Sequence, residues 1–242
     1  MNKFRTLILL HGYGVRSFFW EPIKTFFESK FAQIYIPDLQ MESATVLIES
    51  TKKYILDIKS KHPDNDIFLV GHSLGGVVAL LVAKDLGLEV IKKLALLAVP
   101  YGEHKIPFKS LTRVLIKYRL IPDFLSRPQF YSKHTPKAVQ KKLFKEVVPE
   151  SDAMIDEMLK EKYFHTDLIT GKLPQESIFF ISEYDKVAPF KQSVKLAEML
   201  GSTIVLYAKD KKVAHADYIA GPTISNEVSQ KIIDFFIGED WK

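Results

Sequence analysis

The 242-residue sequence predicts an α/β fold: a mostly parallel sheet with helices on both faces and a helical segment inserted into it. Three observations carry that expectation. Strand-like apolar runs alternate with helical spacing from residue 6 to about 100 and again from about 177 to 238. Between these stretches the chain changes character, to short helical runs punctuated by Pro107, Pro122, Pro128, Pro136 and Pro149. Finally, 242 residues with 47% hydrophobic content suit one sizeable domain with a real core. The expected division is a core made of residues 1–100 and 177–242, with residues 101–176 forming a helical lid over its mouth.

In chain order, the first buried strand is the run Leu7 to Leu10, which enters the turn His11-Gly12-Tyr13-Gly14. A strand ending near Ile36 passes into Pro37-Asp38-Leu39-Gln40-Met41-Glu42-Ser43. Asp66 to Val70 reads as a buried strand, and Val77, Val78, Leu81 and Val82 beyond it recur at helical spacing. Leu94 to Ala98 is the strand after which the lid is inserted, with helical runs at 111–120, 136–148 and 152–164. The core resumes with Ile178 to Ile181 and Thr203 to Tyr207, then closes on an amphipathic helix from about Ile224 to Ile237.

The most informative stretch is Val70-Gly71-His72-Ser73-Leu74-Gly75-Gly76, a serine on a tight turn between strand and helix. Serine on such an elbow is held in a strained backbone conformation, and side chains two residues to either side would collide, which suits Gly71 and Gly75. The helix start also turns backbone amides towards the hydroxyl. Ser73 is therefore a candidate nucleophile. A serine hydroxyl needs an imidazole to take its proton, and the imidazole needs a carboxylate to fix its tautomer. Asp185 lies in the loop just after the strand Ile178–Ile181, and His215 in a polar loop after Thr203–Tyr207. Acyl transfer also needs amide donors for a developing oxyanion. The turn after the first strand offers the amide of Tyr13, and the elbow offers that of Leu74.

With these motifs the chain resembles an α/β-hydrolase-fold serine hydrolase over nearly its whole length apart from the middle insertion. His-Gly-Tyr-Gly, Gly-His-Ser-Leu-Gly-Gly, the Asp185 loop and the His215 loop all match, in the order Ser, Asp, His. A serine at the elbow separates it from the haloalkane dehalogenase and epoxide hydrolase branches, which place aspartate there. The resemblance leans towards esterases, lipases and thioesterases. It implies cleavage of a carboxylic ester or thioester through an acyl-enzyme, with no cofactor. C–C hydrolases, cofactor-free haloperoxidases and acyltransferases share the same machinery, and a non-catalytic binding protein on this fold is a further alternative. Three departures stand out. The chain starts only a few residues before its first strand, which predicts a shortened sheet. Residues 36–43 lack the glycine-rich turn of many relatives, and Ser182 and Ala214 stand where the family often has glycine.

Each candidate has a plainer rival. Ser73 also suits a helix N-cap. His11 and His72 belong to turn motifs, His62 to a polar loop, and His104, His134 and His165 to the insertion. Asp210 and Asp217 neighbour His215 in sequence, but residues of one short loop rarely sit on opposite sides of one imidazole, which favours Asp185 over them and over Glu183. Phe18, Phe19, Tyr101, Phe108 and Phe130 are candidates to line an acyl pocket, with plain packing as the alternative.

Composition narrows the setting. The chain has no cysteine, no His-Glu-x-x-His or similarly spaced ligand pair, and no third glycine after His11-Gly12-Tyr13-Gly14 to complete a dinucleotide fingerprint. No disulfide scaffold, metal site or cofactor is therefore expected. Thr6 to Leu10 is too short for a signal peptide and no run approaches the roughly 18 apolar residues of a membrane span, so a cytoplasmic enzyme is the simplest expectation. The net charge of +5 is unevenly spread: residues 104–145 carry eleven Lys/Arg against one acid, Asp123. A solvated helix face explains this as well as a docking surface for an anionic partner, such as an acyl-carrier protein, a membrane surface or a charged substrate. Nucleic acid is the least suitable partner, since it leaves the elbow unexplained.

Overall fold

A computed structural model describes residues 4–103, 108–118, 120–160 and 169–238. Among these, the strands are β1 (Arg5–Leu10), β2 (Gln33–Tyr35), β3 (Asp66–His72), β4 (Ile91–Leu97), β5 (Glu176–Ser182) and β6 (Thr203–Tyr207). They form one sheet in the order β2-β1-β3-β4-β5-β6, every neighbouring pair parallel. The crossovers are α1 (Glu21–Glu28) between β1 and β2, α2 (Ala44–Lys61) before β3, and α3 (Leu74–Val90) between β3 and β4. Among the described residues four helices, α4 (Lys109–Lys117), α5 (Asp123–Phe130), α6 (Lys137–Lys145) and α7 (Asp152–Met158), lie between β4 and β5. The chain then runs through α8 (Phe190–Leu200), β6, the short α9 (Asp217–Ala220) and α10 (Pro222–Ile237).

Parallel strands covered by helices on both faces bury most of their residues, so the central strands carry long apolar runs. Alternate side chains divide between two cores. Ile8, Leu10, Ile67, Leu69, Leu94, Leu96, Phe179 and Ile181 pack with residues of α2, α3 and α8. Leu7, Leu9, Phe68, Val70, Ala95, Leu97, Ile178 and Phe180 pack with those of α1, α9 and α10. Local signals set the helix ends. Ser43 Oγ accepts the Val46 amide at the start of α2 (3.2 Å), Pro222 opens α10, and Gly201 ends α8 in the left-handed region (φ 71°).

The insertion departs from expectation in detail. The helices expected at 111–120, 136–148 and 152–164 are observed at 109–117, 137–145 and 152–158, and residues 161–168 lie outside the described set. The prolines suggested a break where α5 stands: Pro122 caps this helix and Pro128 lies inside it. Two backbone hydrogen bonds tie the insertion to the loops after the strands among the described residues: the Val148 amide donates to the Gly14 carbonyl (2.8 Å), and the Ala216 amide to that of Phe130 (2.8 Å). Among the described residues, no helix is long and apolar enough to cross a membrane.

Candidate active site

The chain order changes direction beside β1: β2 lies on one side of it and β3 on the other. In open α/β sheets the crevice at the carboxyl ends of the strands, next to such a switch, is where ligands bind. The turn after β1 and the elbow after β3 flank it. Ser73 has φ 53° and ψ −123°, a conformation a non-glycine residue adopts only when its surroundings impose it. Its amide donates to the Leu97 carbonyl (2.9 Å), and its own carbonyl accepts the Gly76 amide (2.9 Å). The close approach of strand, elbow and helix explains the glycines: a Cβ on Gly71 would strike the Gly76 Cα, and one on Gly75 would strike the Leu10 carbonyl oxygen.

On the other side of the cleft, His215 Nδ1 lies 2.9 Å from Asp185 Oδ2 and 3.3 Å from Oδ1, with both side chains buried. Asp185 Oδ1 also accepts the amides of Val187 (2.8 Å) and Ala188 (3.0 Å), which lock the carboxylate in place. The loop expected to be polar is exposed over residues 208–212 and buried where it carries His215: Val213, Ala214, Ala216 and Asp217 are almost wholly enclosed, as is His215. Asp217 does not reach the imidazole. Its oxygens accept Ser132 Oγ (2.5 Å), Thr135 Oγ1 (2.6 Å) and the amides of Ala214 (2.8 Å) and Ser132 (3.3 Å), pinning the insertion to the His215 loop. Glu183, exposed, accepts the Lys209 amide (2.8 Å), and Asp210 is exposed.

His72 links the two sides. Its Nε2 donates to the His215 carbonyl (2.8 Å), its ring lies 4.8 Å from that of His215 and 5.1 Å from that of Phe19, and its Nδ1 is buried without a partner. Burial, reinforced by His215, holds its pKa well below the usual histidine value, so the ring is neutral. A Cβ at Gly12 would lie 3.1 Å from Ser73 Cβ and 3.3 Å from His72 Nδ1, so the turn after β1 packs directly on the elbow. No hydrogen bond joins Ser73 to His215 among the described residues. In substrate-free enzymes such contacts are often long and tighten only when substrate is bound.

The turn after β1 is itself braced. His11 Nε2 accepts the Leu39 amide (2.9 Å), which leaves the proton on Nδ1 to reach the Gly12 carbonyl (2.9 Å); burial pushes the His11 pKa down to about 4. The Gly14 amide donates to Glu150 Oε1 (3.0 Å), and Arg16 grips the same carboxylate through both oxygens (2.6 and 3.1 Å). The amides of Tyr13 and Leu74 make no hydrogen bond among the described residues, and a helix start has no internal acceptor for the latter. Of the pocket candidates, Phe130 places its ring 6.0 Å from His215. Phe19 is core, Phe18 packs at the edge of the same core, and Tyr101 is half-buried with its hydroxyl near Met199 Sδ (4.0 Å). Phe108, 83% exposed at the start of α4, lines nothing buried. Among the described residues no group of three or more His, Asp or Glu side chains converges as metal ligands.

The fold is the α/β-hydrolase fold. Within it, residues 15–103, which include Ser73 but neither Asp185 nor His215, match the family model of lipase (class 3). No curated protein matches the sequence. Among solved structures, the chain is similar to a thermophilic esterase of Thermogutta terrifontis (TM-score 0.74, 16% identity, 97% of this chain and 90% of that one). It is also similar to a lipase-esterase related protein of Clostridium acetobutylicum (TM-score 0.75, 15% identity, 97% and 96%) and an esterase of Exiguobacterium antarcticum (TM-score 0.72, 16% identity, 97% and 92%).

Proposed function

We propose that this chain is a carboxylic ester hydrolase that cleaves small-molecule acyl esters, thioesters included, through an acyl-enzyme on Ser73. The observation that carries the reading is the buried Asp185–His215 pair (2.9 Å) beside an elbow that holds Ser73 at φ 53°. Asp185 keeps the His215 proton on Nδ1, leaving Nε2 as the base. Ser73 Oγ attacks the ester carbonyl and gives its proton to Nε2, while the amides of Tyr13 and Leu74 hold the oxyanion. Collapse of the tetrahedral intermediate breaks the bond to the leaving alkoxide or thiolate, which takes the proton from His215. Water then repeats the sequence on the acyl-enzyme and frees the acid and Ser73. The insertion acts as a lid, with Phe130 beside His215 as its contribution to the acyl pocket. The test is hydrolysis of p-nitrophenyl esters from acetyl to palmitoyl by wild type and Ser73→Ala, with the mass of the fluorophosphonate-treated proteins. Turnover and labelling lost together in Ser73→Ala are expected. Turnover that survives the substitution would remove Ser73 as nucleophile.

A further inference from the structure

The helix α4 meets α7 partly through charge: Arg113 pairs with Asp156 (2.5 Å) and Lys117 with Asp152 (2.6 Å), both acids half-exposed, while Thr112, Leu115 and Ile116 are half-buried. An apolar stripe of the same helix faces solvent. Leu111, Val114 and Tyr118, at the i, i+3, i+7 spacing of one helix stripe, are 43–63% exposed, and no residue of α4 is buried. Leu120, Ile121, Phe124 and Leu125 follow, 37–68% exposed, so seven bulky apolar side chains of one 15-residue stretch stand in solvent. Single exposed apolar residues are ordinary, but a run of this size marks an interaction surface.

Charge identifies the occupant. The helix α5 packs on α6, where Lys137, Lys141, Lys142 and Lys145 are exposed and make no ion pair among the described residues. Among the described residues, acids on α5 and α7 include Asp123, exposed at the start of α5, and Asp152 and Asp156, already engaged by Arg113 and Lys117. With Arg113 and Lys117 paired, the unpaired charge beside the stripe is that of the four α6 lysines, so a second copy meeting this surface would bring its own lysines against them. An acidic carrier protein would match the lysines but leave the leucines and aromatics uncovered. Protruding aromatic and aliphatic side chains flanked by lysines are what an interfacial helix presents to an anionic bilayer. We propose that the α4–α5 surface docks this protein onto an anionic lipid surface, in the plane of the interface and without crossing it.

The surface stands whether or not Ser73 is a nucleophile, so binding is measured on the full chain carrying Ser73→Ala, which also spares the lipid. Flotation with phosphatidylcholine vesicles containing about one-third phosphatidylglycerol should recover the protein, with at least ~10-fold weaker binding to phosphatidylcholine alone and weakening by salt. Leu111→Ser with Phe124→Ser should lower binding ~30-fold or more at unchanged Tm, since both sites are exposed in the free protein. Lys141→Glu with Lys142→Glu should lower it ~10-fold on the anionic vesicles alone. In the wild-type background, both double variants should hydrolyse a soluble short ester as the parent does. No flotation, or flotation unchanged by the serine pair, overturns the proposal. So does a dimer that the serine pair dissolves, or capture by an acidic acyl-carrier protein that the same pair abolishes.

Discussion

Asp185→Asn and Asp217→Asn should fail in opposite ways, because the two buried carboxylates next to the His215 loop have different partners. In Asp185→Asn the amide oxygen can keep the Val187 and Ala188 amides at 2.8 and 3.0 Å, which turns the NH2 group towards His215 Nδ1. Nδ1 must then accept, the proton moves to Nε2, and the imidazole can no longer take one from Ser73. The loss of kcat should be about four orders of magnitude with Tm nearly unchanged. In Asp217→Asn no orientation of the amide works. One oxygen accepts Ser132 Oγ and the Ala214 amide, the other Thr135 Oγ1 and the Ser132 amide, so the NH2 group faces two donors either way. The hydroxyls can rotate away and the amides cannot. One backbone donor is thus left without its charged acceptor in a fully buried site, a cost of about 2–4 kcal/mol. For a domain of this size that is roughly 5–12 °C in Tm, with kcat at low temperature reduced far less than in Asp185→Asn. Steady-state kinetics on a soluble ester and thermal unfolding on the same preparations read both. An Asp185→Asn enzyme within tenfold of wild type, beside an inactive Asp217→Asn enzyme of normal Tm, would refute the assignment of the acid.

Two further outcomes follow from the neutral buried histidines. His72→Phe removes the donor to the His215 carbonyl and should lower kcat ~10–100-fold with little change in KM. His72→Gln, which can restore that donor, should recover most of the loss, and equal defects in the two variants would show that the ring packs rather than positions. Stability should fall as pH drops below about 6.5. The folded pKa of His11 is about 4 and that of His72 is also well below 6.5, so only the unfolded chain takes up these protons, at about 1.4 kcal/mol per pH unit for each histidine. Denaturant midpoints between pH 7.5 and pH 5 check this; His11→Gln should remove about one proton from the slope, and an unchanged slope would clear His11.

What could be read in the sequence was whatever leaves a trace within a few residues. The apolar runs within β1, β3, β4, β5 and β6 announce those strands; of β2, three residues with Gln33 exposed, only the end near Ile36 could be read. The elbow is legible because Gly71 and Gly75 are forced by contacts with near neighbours and with β1. The rule that one loop cannot flank both sides of an imidazole separates Asp185 from Asp217, but the work of Asp217 depends on Ser132 and Thr135, more than 80 residues away. The insertion shows the limit most sharply. A helical apolar stripe reveals that a helix has two faces and leaves open which one turns inwards. In α4 the answer depends on α7, about 40 residues on: Asp152 and Asp156 stand where Arg113 and Lys117 can reach them, and with that edge turned towards α7 Leu111, Val114 and Tyr118 are in solvent. Reversing Asp152 and Asp156 to lysine should therefore lower Tm by a few degrees, since each half-exposed pair contributes up to about 1 kcal/mol; an unchanged Tm would show that the half-buried Thr112, Leu115 and Ile116 alone orient α4.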